Sequence, residues 1–329
     1  MTGVTGLGSW PGTELVPAVD QVGQAFPEAP FLPELPARGP GTDMVSRALG
    51  LIDQLGFESG PFGWTTAAHP SREQRWARAR LRDDLELAAE RLEGHKGDWH
   101  VSLTGPWTLS ALVGRGSGEL LLADAGACRD LAQAWLEAVA GWCDQVQRLI
   151  PGVRLSLQVD EPMLPMVAAG AVGTASGLRR HRSISPDRLV EGYAGLPDWA
   201  ERAGLAQTVL HCCAPGLDCR ELGRAGFSAV SCDLANLGGD DDDLAQFYEA
   251  GGGLWLGAVP TDQPQRRVSL DQVLPTVLTR LDRLGIDPAQ GRLWLTPACG
   301  LAGFTLPEAL ATARLLARLA QAVDEAQAD

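Results

Sequence analysis

The sequence predicts a single (β/α)8 TIM barrel with its chemistry at the C-terminal ends of the strands. Short apolar runs alternate with longer helical patterns, the rhythm of a parallel sheet with helices packed outside it. The strand-like runs number eight, at residues 4–10, 30–35, 99–104, 153–159, 206–211, 228–232, 253–259 and 292–296, the count that closes such a barrel. Chemically unusual side chains collect just after these runs: Ser9, Asp160 with Glu161, His211 with Cys213, Asp233 and Cys299.

Helical patterns fill most of the intervals, at 43–55, 71–92, 120–149, 186–203, 218–225, 241–249, 270–284 and 307–321. No linker, repeat or composition shift divides residues 1–329, which read as one catalytic domain. The glycines of GLGSWPG have the wrong spacing for a dinucleotide fingerprint. GRGSG at 114–118 lacks a preceding strand and a following GK[ST], so it reads as a helix connection. The small-residue stretch 168–177 is a mobile lid or a plain connection. Four aspartates at 240–243 open a helix, where unpaired amides and the dipole favour carboxylates; a solvated helix start is preferred to a second metal site. His95 and His100 are expected on the surface at the end remote from the mouth, and His69 in a loop before a helix.

Composition narrows the function. A formal charge of −14 argues against nucleic acid and anionic membranes, which attract basic surfaces, and favours a small-molecule substrate. The seven cysteines are an odd number and no signal peptide precedes them, so they read as reduced thiols in a cytoplasm. No apolar segment is long enough to span a bilayer.

The run TVLHCCAPG carries the sharpest signal. On an extended backbone His211 and Cys213 fall on one face, about 7 Å apart at Cα, and two soft ligands on one face are half a tetrahedral zinc shell. The other half must come from Cys299 and either Asp233 or Cys232.

Together GLGSWPGT, SLTGPWTL, LQVDEP, HCC, CDLAN and PACGL resemble the catalytic C-terminal barrel of cobalamin-independent methionine synthase, within the superfamily that includes uroporphyrinogen decarboxylase. The chain resembles a short core form without the additional N-terminal barrel. The resemblance implies a zinc enzyme that methylates the thiol of homocysteine. It places zinc on His211, Cys213, Asp233 and Cys299, with Asp where the family usually has Glu, and Cys232 next door as the alternative. It also implies that Asp160, beside Glu161, holds the substrate amine and that Ser9 with Gly8 holds the carboxylate. Catalysis would then rest on Asp160, His211 and Cys213, because only a thiolate attacks a methyl group and zinc coordination deprotonates the thiol.

Departures from the family shape the remaining expectations. The tryptophan that stacks on folate falls near Leu112, and the histidine beyond the seventh strand has no counterpart in GAVPTDQPQ. The expected donor is therefore a methylcorrinoid, methylcobalamin or a methylated corrinoid protein, with Trp10 and Trp107 shaping its binding surface. The acid before the family's NDMV segment is missing in RGPGTDMV, which makes Glu34 the candidate to take over and keeps another acceptor thiol open. The rival readings are a non-catalytic barrel with a closed structural zinc site and a uroporphyrinogen-decarboxylase-like enzyme. The latter grips acidic substrates with arginines near the first strand, and GSWPGT has none.

Overall fold

A computed structural model describes residues 1–116, 118–237 and 241–326. Seven parallel strands form one curled sheet: β1 (Gly3–Val4), β4 (Asp98–Thr104), β5 (Arg154–Asp160), β6 (Gln207–Cys212), β7 (Ala229–Asp233), β8 (Gly253–Val259) and β9 (Leu293–Pro297), the remaining labels β2 (Gly56–Gly60) and β3 (Gly63–Ala67) naming a separate antiparallel hairpin. The order β1-β9-β8-β7-β6-β5-β4 sets the first strand beside the last. The helices are α1 (Leu15–Ala25), α2 (Met44–Leu51), α3 (Arg72–Arg91), α4 (Pro106–Leu112), α5 (Ala125–Leu149), α6 (Leu164–Ala168), α7 (Pro186–Glu191), α8 (Leu196–Ala203), α9 (Arg220–Ala225), α10 (Asp241–Glu249), α11 (Leu270–Leu284) and α12 (Leu306–Ala326). The fold is α/β and TIM-like.

The strands read as apolar runs because both of their faces are covered, as in β8, where every residue is buried. Helix starts follow side-chain chemistry. Asp124 accepts from the amides of Gly126 and Ala127 at the head of α5, and Ser269 with Gln272 forms a capping box on α11. None of the helices, among the described residues, is long and apolar enough to cross a membrane.

Three of the predicted elements need correction. The run 30–35 is not a regular strand, since Pro30 and Pro33 lack the amides a ladder needs. It nevertheless bridges the sheet's two edges: Leu32 N donates to His100 O at 3.1 Å, Glu34 N to Gly8 O at 2.9 Å and Trp10 N to Glu34 O at 2.8 Å. The first run pairs regularly only at Gly3–Val4, because Gly8 turns the backbone to φ +91°. The helical pattern at 186–203 breaks into α7 and α8 at Gly192 and Gly195. The hairpin β2–β3 was not anticipated, although GPFG between its strands is a turn signal; it joins the segment after α4 through a bridge from Thr65 to Gly114.

Of the acidic run 240–243, Asp240 lies outside the described residues; Asp241 opens α10 in ion pairs with Arg280 and Arg283, and Asp243 faces Arg220 at 3.3 Å. In GRGSG, Ser117 lies outside the described residues. His100 is not a surface residue but is buried between the rings of Phe31 and Trp255 at 5.3 and 5.2 Å, where burial pulls its pKa down to about 3.

Candidate metal centre and acceptor pocket

Strand alternation decides which side chains meet. His211 lies opposite Ser231 in the register of β6 and β7, and Cys212 lies opposite Cys232. His211 and Cys213 thus share one face with Ser231 and Asp233, while Cys212 and Cys232 share the other. The loop after β9 brings in Cys299, whose Sγ lies 3.2 Å from that of Cys213. One ligating atom from each of His211, Cys213 and Cys299 lies within 4.8 Å of the other two, the one such group of three among the described residues. His211 Nδ1 is 2.9 Å from Ser231 Oγ, which orients the ring and leaves Nε2 for the centre.

The two thiols divide their acidity. Contact with Cys213 and with the His211 imidazole draws Cys299 down to about 4, whereas Cys299 and burial push Cys213 up. Burial lowers the pKa of His211, but Cys299 and Asp160 outweigh it and the net shift is upward. Two sulfurs and an imidazole nitrogen converging at this spacing are the donor set that suits zinc.

Asp233 shares the face but stands outside the group of three. Its carboxylate accepts from Ala235 N at 2.9 Å and Asn236 Nδ2 at 3.1 Å, and Asn236 also donates to Cys213 O at 2.8 Å. Burial and the neighbouring Cys299 raise its pKa. Cys232, the alternative ligand, faces away from the centre and is deeply buried, with Cys219 and Cys212 as its thiol neighbours.

Beside the centre stand two buried carboxylates, those of Asp160 and Glu34. Asp160 ends β5 next to His211 in register and accepts from Gln158 Nε2 at 2.7 Å. Glu34, also buried, accepts from Ser102 Oγ at 2.9 Å and faces Arg47 Nε at 3.4 Å. A Cβ on Gly8 would stand 2.3 Å from Ser102 Oγ, so only glycine allows this approach. Ser9 lies against the Cys299 loop, where its carbonyl accepts from Leu301 N at 2.9 Å. Arg47, which sequence reasoning missed, is a buried cation between Glu34 and Asp84; an arginine in an ordinary amphipathic helix gives no signal of its partners.

Burial pushes the Asp160 carboxyl up to about 8, opposed by the His211 imidazole and reinforced by Glu34. Below that pH the free carboxyl is neutral, and a ligand ammonium must expel its proton. If Asp160 holds a substrate ammonium, affinity of the metal-free chain for an amino-acid ligand should climb toward pH 8 by up to about tenfold per unit and then level off. Calorimetry in buffers of different ionisation enthalpy reads the released proton, and a pH-independent affinity would refute the assignment.

Residues 107–322 match the family model described as cobalamin-independent synthase, catalytic domain. The chain belongs to the cobalamin-independent synthase family. Among solved structures, a B12-independent methionine synthase from Shewanella sp. W3-18-1, in complex with selenomethionine, has a TM-score of 0.53 at 14% identity, over 80% of this chain and 70% of that one; it supports the fold. A GH26 domain from Prevotella bryantii has a TM-score of 0.48 at 9% identity, over 94% of this chain and 89% of that one. A GH5_18 protein from Bifidobacterium longum subsp. infantis has a TM-score of 0.47 at 14% identity, over 98% and 79%. No curated protein matches.

Membership of the cobalamin-independent synthases overturns the expected methylcobalamin donor and the corrinoid-protein partner. That expectation came from two missing loop residues, each judged at its own position. The structure sets other aromatics near one of those positions: Leu112 shares a cleft of about 480 Å³ with Phe62 and Trp64 from the unanticipated hairpin and Trp76 from α3.

In this synthase Trp10 is not a donor surface, and Trp107 lines the space between α4 and α5 instead of the metal centre. Trp10 is fully buried against Phe26 and Phe31, with its Nε1 donating to Gln21 Oε1 at 3.1 Å. Trp107 is 4% exposed, and its Nε1 donates to Leu189 O at 2.9 Å. Trp10→Ala is expected to cost about 3–5 kcal/mol in a urea titration. An unchanged unfolding midpoint with a weakened donor affinity would restore the donor-surface reading.

Glu161 does not face the pocket either. It has no exposed surface, and its oxygens accept from Trp107 N (3.0 Å), Thr108 N (2.7 Å), Thr108 Oγ1 (2.6 Å) and Tyr193 OH (2.8 Å). It fastens the start of α4 and the region of Tyr193 to the end of β5.

Proposed function

We propose that this synthase is a zinc-dependent methyltransferase that methylates the thiol of homocysteine to give methionine, with methyltetrahydrofolate as donor. The observation that carries the proposal is the meeting of His211, Cys213 and Cys299 beside the Asp160 and Glu34 carboxylates. A sulfur-binding centre next to an ammonium-binding pocket suits an amino acid with a thiol side chain. We also take the segment 30–35 as the eighth strand, closing the barrel of one catalytic domain around this mouth.

His211, Cys213 and Cys299 would hold the zinc, with Asp233 turning from its helix-capping role to complete the shell. When bound, the zinc supplies the charge that keeps a substrate sulfur ionised near neutral pH. Asp160 and Glu34 take the substrate ammonium from two sides, and Arg47 steadies Glu34 from behind. Ser9 takes the carboxylate. Held at both ends, the acceptor presents its sulfur in one direction, and positioning contributes much of the rate. The aromatic cleft beside Leu112 supports a flat pterin as the donor body.

The test is zinc analysis of the purified chain, followed by methionine formation from homocysteine with methyltetrahydrofolate or methylcobalamin. About one equivalent of zinc and turnover on the folate are expected. A chain that folds without retaining zinc, or that yields no methionine from the folate, would overturn the proposal.

A further inference from the structure

A second cavity, of about 410 Å³, lies outside the strand ends, between α4, α5 and the segment around α7. Its volume is that of an ordinary small-molecule site. Trp107 and Leu136 form its apolar walls, and Arg129 and Arg188 reach it from α5 and α7. Gly192 keeps it in shape, since a Cβ there would strike Trp107 Nε1 at 2.5 Å. Ser110, also lining it, is buried, and no hydrogen bond of ordinary geometry reaches its hydroxyl among the described residues. Its neighbour is the Cys128 thiol, a weak partner that leaves the hydroxyl's bonding capacity open. The Arg188 guanidinium is loosely engaged, 3.5 Å from Ala125 O and 3.7 Å from Glu191.

From this arrangement we propose a binding site for a small amphipathic anion, a carboxylate or sulfonate on a flat apolar body. The body lies between Trp107 and Leu136, where burial of apolar area drives binding. The anionic head meets Arg129 and Arg188, whose charge-assisted bonds are the stronger kind, and Ser110 donates a further hydrogen bond. Glu191 offsets part of the Arg188 charge, which suits a single negative charge better than a polyanion.

The full chain can be tested with the fluorescent probe 8-anilinonaphthalene-1-sulfonate and its uncharged analogue N-phenyl-1-naphthylamine. Saturable one-site binding of the sulfonate is expected, about tenfold or more tighter than that of the analogue. Arg129→Glu with Arg188→Glu should remove that preference, and because both arginines reach solvent the fold should survive. Ala132→Trp, which fills the cavity, should abolish binding of both probes. Absence of saturable binding to the wild-type chain would overturn the site. So would equal affinity for the two probes, or a preference that survives charge reversal. Unchanged binding in a correctly folded Ala132→Trp variant would do the same.

Discussion

Cys299→Ala is expected to empty the metal centre and abolish methyl transfer together. The residue brings one of only two sulfurs into the group of three, and its contacts with Cys213 and His211 make it the more acidic thiol. Loss of a group that merely orients a ligand weakens metal binding by about 10–100-fold, so loss of a ligand should exceed the upper end of that range. Zinc content after dialysis against a weak chelator measures it, with far-UV circular dichroism to show that the fold persists. Cys212→Ala and Cys232→Ala are the controls. Their thiols lie on the opposite face of the sheet, so both variants should keep metal and turnover. Full zinc occupancy in folded Cys299→Ala would remove that residue from the proposed shell.

Glu161→Ala should damage stability far more than chemistry. The substitution strands four buried donors, those of Trp107, Thr108 and Tyr193, each with a desolvation cost of about 1–3 kcal/mol when unpaired. Relaxation of α4 will recover part of this, and a net loss of about 3–5 kcal/mol in chemical unfolding is expected. Zinc content at low temperature should be unaffected. Burial raises the Glu161 carboxyl to about 7 against the opposing pull of its donors. The folded chain thus binds this proton more tightly than the unfolded chain. The associated stability is complete below the ordinary value of 4.5 and is lost as pH rises through about 7. The gap between wild type and Glu161→Ala should accordingly narrow from pH 5 to pH 8. A variant of normal stability with a raised KM for the acceptor would return Glu161 to the substrate pocket.

The strands that carry the centre were legible because their signal is local. Alternation along β6 and one residue past its end sets His211 and Cys213 on one side, and the apolar runs of β5, β7, β8 and β9 needed no partner to be recognised. What escaped depends on contacts between distant segments. Glu34 was a candidate from its place in the chain, but Arg47 joins it to Asp84 from another helix, and nothing near Arg47 in sequence announces either partner. Trp10 and Trp107 sit at the expected strand ends, but neighbouring helices and aromatic rings cover them, and position along the chain does not report coverage. The donor was misjudged for the same reason. A residue missing from one loop says little when a hairpin from another can bring Trp64 to the same place.

The pairing of His211 with Ser231 and Cys212 with Cys232 makes β6 intolerant of length changes. Inserting or deleting one residue upstream within the strand would rotate every later side chain to the other side of the sheet. The imidazole and the Cys213 sulfur would swing into the layer between sheet and helices, and of the three residues His211 to Cys213 only Cys212 would point inward. Such a frame slip would therefore act as a double knockout, however conservative the inserted residue.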